Sequence, residues 1–111
     1  MTATTDLLVA LCTCPDRAVA ERLAELAVTQ GLAACVNIVP GLESHYLWQG
    51  ERECAQEILL VAKTTRRGFA PLCAAWQAAH PYELPEIIAV PVAEALAAYA
   101  HWVREAVTCD S

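Results

Sequence analysis

At 111 residues the chain has room for one domain built on a single core, and the span 1–111 is read as that domain. Its composition is 57% apolar, and its formal net charge is −6. That balance argues against a nucleic-acid binder, because a phosphate-tracking surface needs clustered cations and only Arg66-Arg67 stand together, near Lys63.

Asp6 to Thr13 is a nearly continuous apolar run and predicts a central strand buried on both faces. Asp16 is placed to cap a first helix, with Pro15 just outside it and Val19, Leu23, Leu26 and Gln30 at helical spacing. Gly31 falls where a left-handed residue ends such a helix. Leu32 to Val39 reads as a second strand. Pro40-Gly41 interrupts it, which marks an edge strand or a bulge, and Ser44 to Trp48 resumes the extended pattern.

Gln49-Gly50-Glu51 predicts a hairpin turn, and Arg52 to Thr64 a long third strand whose edge must be managed. Thr64-Thr65 can cap a second helix carrying Phe69, Leu72, Cys73, Trp76 and His80 on one apolar stripe. Pro81 and Pro85 make His80 to Glu86 a stiff connector rich in polar groups, the kind of segment where function collects. Glu86 to Pro91 is the fourth strand. Glu94 to Val107 is a last helix, with Leu96, Tyr99 and Val103 on one stripe and Trp102 beside it.

The order is an α+β, ferredoxin-like βαββαβ unit with an antiparallel sheet, a long hairpin between its second and third strands, and a C-terminal helix. Its fourth strand lies beside its first. Cys12-Thr13-Cys14 should therefore approach His80-Pro81-Tyr82-Glu83, with Trp48 at the same end of the sheet and Lys63 and Gly31 at the other. The surplus of apolar residues calls for a subunit interface, and a homo-oligomer is expected. No leader follows Met1 and no apolar run nears the length of a membrane span, so the expected setting is the cytosol, away from membranes.

Six cysteines occur without a C-x-x-C pair, so neither a disulfide scaffold nor a four-ligand zinc site is expected. Cys35, Cys54 and Cys73 read as small core residues, and Cys109 as an exposed thiol. Cys12, Cys14 and His80 have two functional readings, as ligands for copper or zinc or as a nucleophile with its base. The alternative is a pair of buried thiols beside a hydrogen-bonded histidine. Catalysis is the weaker reading, since it needs a thiolate-stabilising partner and access. Glu57 and Lys63 share a strand face and could pair, or meet an anionic ligand across a subunit boundary. His45, Tyr46 and Trp48 suit stacking on a ligand or anchoring an interface. No phosphate-cradling loop or nucleophile elbow is present, and no enzyme is expected.

Several stretches together resemble the CutA divalent-cation-tolerance family. They are Cys12-Thr13-Cys14-Pro15-Asp16, Leu32-Ala-Ala-Cys-Val-Asn37, Ser44-His-Tyr-Leu-Trp48 with Gly50, Glu57 with Lys63-Thr64, and His80-Pro-Tyr-Glu-Leu-Pro-Glu86-Ile87. The resemblance implies a tight homotrimer, similar in architecture to PII signalling proteins, whose long hairpins pair between subunits. It also implies copper binding and a part in metal tolerance. The family's proposed ligands match Cys12 and His80. Ala79 stands where some members carry a further histidine, and Cys14 is the candidate replacement. Two alternatives remain: a PII-like sensor holding a metabolite or nucleotide in inter-subunit clefts, and a non-enzymatic scaffold. Trp48, Glu57, Lys63, Tyr82, Glu83 and Glu86 are the cleft or interface candidates.

Overall fold

The apolar run after Asp6 forms the centre of the molecule. A computed structural model describes residues 2–3 and 6–108, so Cys109 lies outside the described residues. The elements in order are β1 (Thr2–Ala3), β2 (Leu7–Cys14), α1 (Arg17–Thr29), β3 (Cys35–Trp48), β4 (Glu51–Thr65), α2 (Arg66–Ala79), β5 (Ile87–Pro91), β6 (Glu94–Ala95) and α3 (Ala97–Ala106). The main sheet runs β3-β4-β2-β5 with every neighbour antiparallel, which is the ferredoxin-like order. β1 and β6 form a separate two-stranded ladder.

The strand period divides β2 between two environments. Ala10 and Cys12 sit beside Ala62 and Leu60 of β4 and Ala89 and Ile87 of β5. All six belong to the core closed by Val19, Leu23 and Ala27 of α1 and Leu72 and Trp76 of α2. Both helices start on capping side chains. Asp16 Oδ1 accepts the Val19 N–H at 2.9 Å, and Thr65 Oγ1 accepts the Gly68 N–H at 3.1 Å. Trp76 is fully buried, and its Nε1–H donates to the Leu23 carbonyl at 3.0 Å, tying the helices together.

Two boundaries, at Leu32 and at Glu94, differ from the sequence expectation, while Pro40-Gly41 agrees with it. Leu32 to Ala34 is not strand: the Leu32 and Ala33 N–H groups donate to the Ala27 carbonyl and complete the end of α1. Gly31 there has φ +69°, and a side chain on it would collide with Thr108. Pro40-Gly41 is a bulge in one continuous edge strand, between Val39 and Leu42. Glu94 and Ala95 are not helical, because β1 offers their backbone a ladder, and α3 begins only at Ala97.

That later start changes the face of α3. Ala100 and Val103 pack with Leu7, while Leu96, Tyr99 and Trp102 stay exposed. Arg104 donates through Nε and its guanidinium NH2 to the two Asp6 carboxylate oxygens, at 2.8 and 3.1 Å, and anchors α3 to the start of β2.

The hairpin ends in a two-residue turn, Gln49 (φ 52°) and Gly50 (φ 83°), whose positive angles match the strand twist. It carries the molecule to a longest extent of 45 Å and a radius of gyration of 14.5 Å. A compact chain of this length would have a radius of about 13 Å, so the hairpin projects. Replacing Trp76 with Ala removes the side chain that joins α1 to α2. It should lower the unfolding free energy by about 3–5 kcal/mol, read as a fall in denaturant midpoint.

Candidate functional site

Two consecutive features of the chain build the site. β2 ends at Cys14, and α2 stops at Ala79 because Pro81 cannot follow in a helix. The connector from His80 then folds against the end of β2. His80 is 8% exposed, and its Nε2–H donates to the Thr13 carbonyl at 2.8 Å. Its Nδ1 accepts the Tyr82 backbone N–H at 3.1 Å. An amide N–H only donates and a carbonyl only accepts, so these partners fix the Nε2–H tautomer. The Tyr82 ring lies 4.7 Å from the imidazole, and its hydroxyl donates to Glu57 Oε2 at 2.6 Å. Glu57 is itself buried at 7% exposure.

Behind this relay lie Cys12 and Cys14, both fully buried on the helix-facing side of β2. The strand keeps its pairing through Cys14, opposite Ile58, so Pro15 does not release the second thiol. The two sulfurs and a His80 ring nitrogen all lie within 4.8 Å of one another. The hydrogen bond with Cys14, and then burial, push the Cys12 thiol far above its usual range. The same bond lowers the Cys14 thiol, so Cys12 holds its proton the more firmly of the two. This is a soft donor set in which Cys12 is not activated as a nucleophile.

In front of the relay is a cavity of about 600 Å³ lined by Thr13, Ser44, His45, Tyr46, Trp48, Glu57, Tyr82, Glu83, Leu84 and Glu86. It joins three carboxylates to three aromatic rings, with no Lys or Arg among its described lining residues. Five of the six cleft candidates meet here: Trp48, Glu57, Tyr82, Glu83 and Glu86. Lys63 does not. It shares a strand face with Glu57, but six residues of strand separate them by about 20 Å. Its Nζ donates instead to Asn37 Oδ1, and it lines a second cavity of about 480 Å³ with Leu7, Val9 and Tyr99. The pairing of Glu57 with Lys63 is therefore replaced by one with Tyr82.

Thr13 was missed as a participant because its carbonyl acts, and a backbone acceptor leaves no mark in residue type. Cys54 departs from the expected core position. It is exposed on the hairpin beyond the cover of α1 and α2, whereas Cys35 and Cys73 are half-buried.

The fold and this end of it define a ferredoxin-like domain with a thiol–imidazole cluster sealed behind an acidic, aromatic cavity. Residues 8–106 match the family described as CutA1 divalent ion tolerance protein, and the chain belongs to that family. It is 50% identical over 97 residues to the divalent-cation tolerance protein CutA of Thermus thermophilus, across 87% of this chain and 94% of that protein. The solved Thermus structure superposes with a TM-score of 0.89 at 48% identity, over 91% of this chain and 98% of that one. The Synechococcus elongatus CutA structure complexed with Bis-Tris gives 0.87 at 35% identity, over 95% and 97%. The chain spans only half of the chloroplastic CutA of Arabidopsis thaliana, to which it is 41% identical over 83% of its own length. No helix among the described residues is long and apolar enough to cross a membrane.

Tyr82 gives this end of the sheet a pH signature. Burial, and then Glu57, raise its phenol above the ordinary value. A raised folded value means the stabilisation is complete below the ordinary phenol pKa of about 10 and is lost as pH climbs through the raised one. Tyr82→Phe should flatten the alkaline fall in unfolding free energy. It should also cost about 1–3 kcal/mol at neutral pH, since the buried Glu57 carboxylate loses its hydroxyl donor. An unchanged alkaline slope in denaturant titrations would remove Tyr82 as its source.

Proposed function

We propose that this chain is a non-enzymatic, cytosolic homotrimer that binds copper through Cys12, Cys14 and His80 and contributes to metal tolerance. The observation that carries this reading is the meeting of two sulfurs and an imidazole within 4.8 Å. Thiolate and imidazole are the donors copper accepts, and burial would shield the bound ion from water. The relatives' name, divalent-cation tolerance protein, supports the cellular role. The raised Cys12 thiol disfavours its use as a nucleophile, whereas a soft metal ion can displace the proton directly.

Loading has a local cost. The thiols must release protons, and His80 must give up one of its two hydrogen bonds. Entry is therefore coupled to loosening of the connector at Tyr82. The described cysteines are all free thiols, which suits a reducing compartment.

The trimer is supported by apolar surface that one chain leaves uncovered. On the sheet face away from α1 and α2, Val39, Ile88 and Val90 are 40%, 50% and 46% exposed. The outer edge of β3 has no strand beside it among the described residues.

Light scattering after gel filtration should give about three times the 12.0 kDa of one chain. Metal analysis of the same peak should show one more copper per chain in wild type than in Cys12→Ser/Cys14→Ser. Copper loading should also speed hydrogen exchange at the Tyr82 amide. Equal copper in the two proteins would overturn the site, and a single-chain mass would overturn the trimer.

A second reading is favoured by the cavity itself: a PII-like sensor for a small organic ligand. Glu57, Glu83 and Glu86 beside Tyr46, Trp48 and Tyr82 suit an ammonium group held by carboxylates and ring faces. The same carboxylates oppose a nucleotide's phosphates. The Synechococcus relative's complex with Bis-Tris, an amine, agrees with this preference. Thermal-shift titration with Bis-Tris and simple polyamines should raise the melting temperature. Nucleotides should not, and Trp48→Ala should abolish the rise. A flat response to every amine removes this reading.

A further inference from the structure

The hairpin tip carries a second set of metal donors, built by strand register and independent of the buried cluster. Because the turn is Gln49-Gly50, Trp48 faces Glu51 and the pairing counts back evenly to His45 opposite Cys54. Directly opposed residues place their side chains on one face, and Glu43, two residues before His45, shares it. His45 Nε2 lies 2.8 Å from Glu43 Oε2 and 3.7 Å from Cys54 Sγ. The three donor atoms all lie within 4.8 Å of one another, and all three residues are exposed. Tyr46, the neighbour of His45, projects to the opposite face by the same alternation.

We propose that Glu43, His45 and Cys54 form a solvent-facing site for a divalent transition ion, with zinc as its best match. Zinc accepts carboxylate oxygen, imidazole nitrogen and thiolate sulfur alike. Calcium and magnesium take oxygen ligands, and a softer monovalent ion prefers a sulfur-rich set. Zinc bonds of roughly 2.0–2.3 Å in a tetrahedron hold donor atoms about 3.3–3.8 Å apart. The His45–Cys54 spacing already falls in that range and the His45–Glu43 spacing lies below it, and exposed side chains adjust by small rotations. On binding, the Cys54 thiol gives its proton to solvent and forms the sulfur–metal bond. One carboxylate and one thiolate then balance the dication, and the neutral imidazole completes the set. Three protein ligands leave a fourth position to water, so this ion would exchange readily, unlike one behind the His80 connector.

The site differs from the copper reading in every ligand, and its test separates the two. Equilibrium dialysis with zinc, followed by metal analysis, should show that Cys12→Ser/Cys14→Ser keeps one zinc per chain. Adding Cys54→Ser to that double variant should remove it. Cobalt(II) loading of the double variant should give a near-ultraviolet thiolate-to-cobalt charge-transfer band, absent once Cys54 is replaced. His45→Ala should abolish the band, and Glu43→Gln should weaken binding while the band persists. If the double variant does not fold, the comparison is made in wild type, where Cys54→Ser alone should lower bound zinc by one per chain. Far-ultraviolet circular dichroism should be unchanged by replacement of this exposed thiol. Zinc binding and a cobalt band that survive Cys54→Ser in the double variant overturn the site, as do bound zinc undiminished by Cys54→Ser in wild type and a wild-type chain that shows neither.

Discussion

The His80 imidazole is the joint on which this end of the molecule depends. It bridges the carbonyl of Thr13 on β2 and the N–H of Tyr82 in the connector, and Tyr82 continues the relay to Glu57 on β4. Three segments far apart in sequence are thus held together by this relay of hydrogen bonds. No described buried side-chain nitrogen or oxygen lacks a partner, so the relay adds no unsatisfied group to the interior. Its satisfaction has a consequence for chemistry. Each His80 nitrogen is already occupied, so any ligand that needs one must compete with the bond that positions the connector. Arg22 of α1 reinforces the joint from behind, donating to the Ala79 carbonyl at 3.0 Å.

Much of this was legible in the sequence where a residue type dictates a backbone shape. Asp16 and Thr65 cap, Gly31 turns left-handed, Pro40-Gly41 bulges, and Pro81 ends a helix; each outcome follows from local sterics. The approach of Cys12 to His80 followed from topology alone. What failed was distance and cover. The strand period placed Glu57 and Lys63 on one face correctly but says nothing of the length between them. The residue type of Cys54 suggested a core position, yet burial also needs an element overhead, and α1 and α2 do not reach the hairpin. Leu96 and Tyr99 fit a helical stripe, but that stripe assumed a helix beginning at Glu94. The β1–β6 ladder took those residues, and α3 turned Ala100 and Val103 inward instead.

The same thiol chemistry therefore has two opposite settings. Cys12 and Cys14 are hydrogen-bonded to each other inside a sealed core, where desolvation penalises any uncompensated charge. A cation there would be strongly held and slow to enter or leave. Cys54 stands in solvent beside His45, where no such penalty applies and no connector has to open. Register, rather than proximity in sequence, decides which cysteine receives an imidazole neighbour.

Charge links these settings. Glu43, Glu51, Glu53, Glu57, Glu83 and Glu86 all belong to the hairpin or to the connector and strand ends facing it, with Arg52 and Arg22 the cations among them. These groups carry −4 of the chain's net charge of −6, so the larger part of it lies at one end. Exposed charges act over a screening length of about 8 Å at physiological salt, comparable to the spacing of these groups, so their potentials overlap. A divalent ion feels that potential twice as strongly as a monovalent one, before any ligand bond forms. The more acidic end of the molecule is also the end that carries both donor sets and the aromatic cavity. On the proposed readings, selection among cations would fall to the donor atoms: sulfur and nitrogen for a soft metal, and carboxylates with ring faces for an ammonium group.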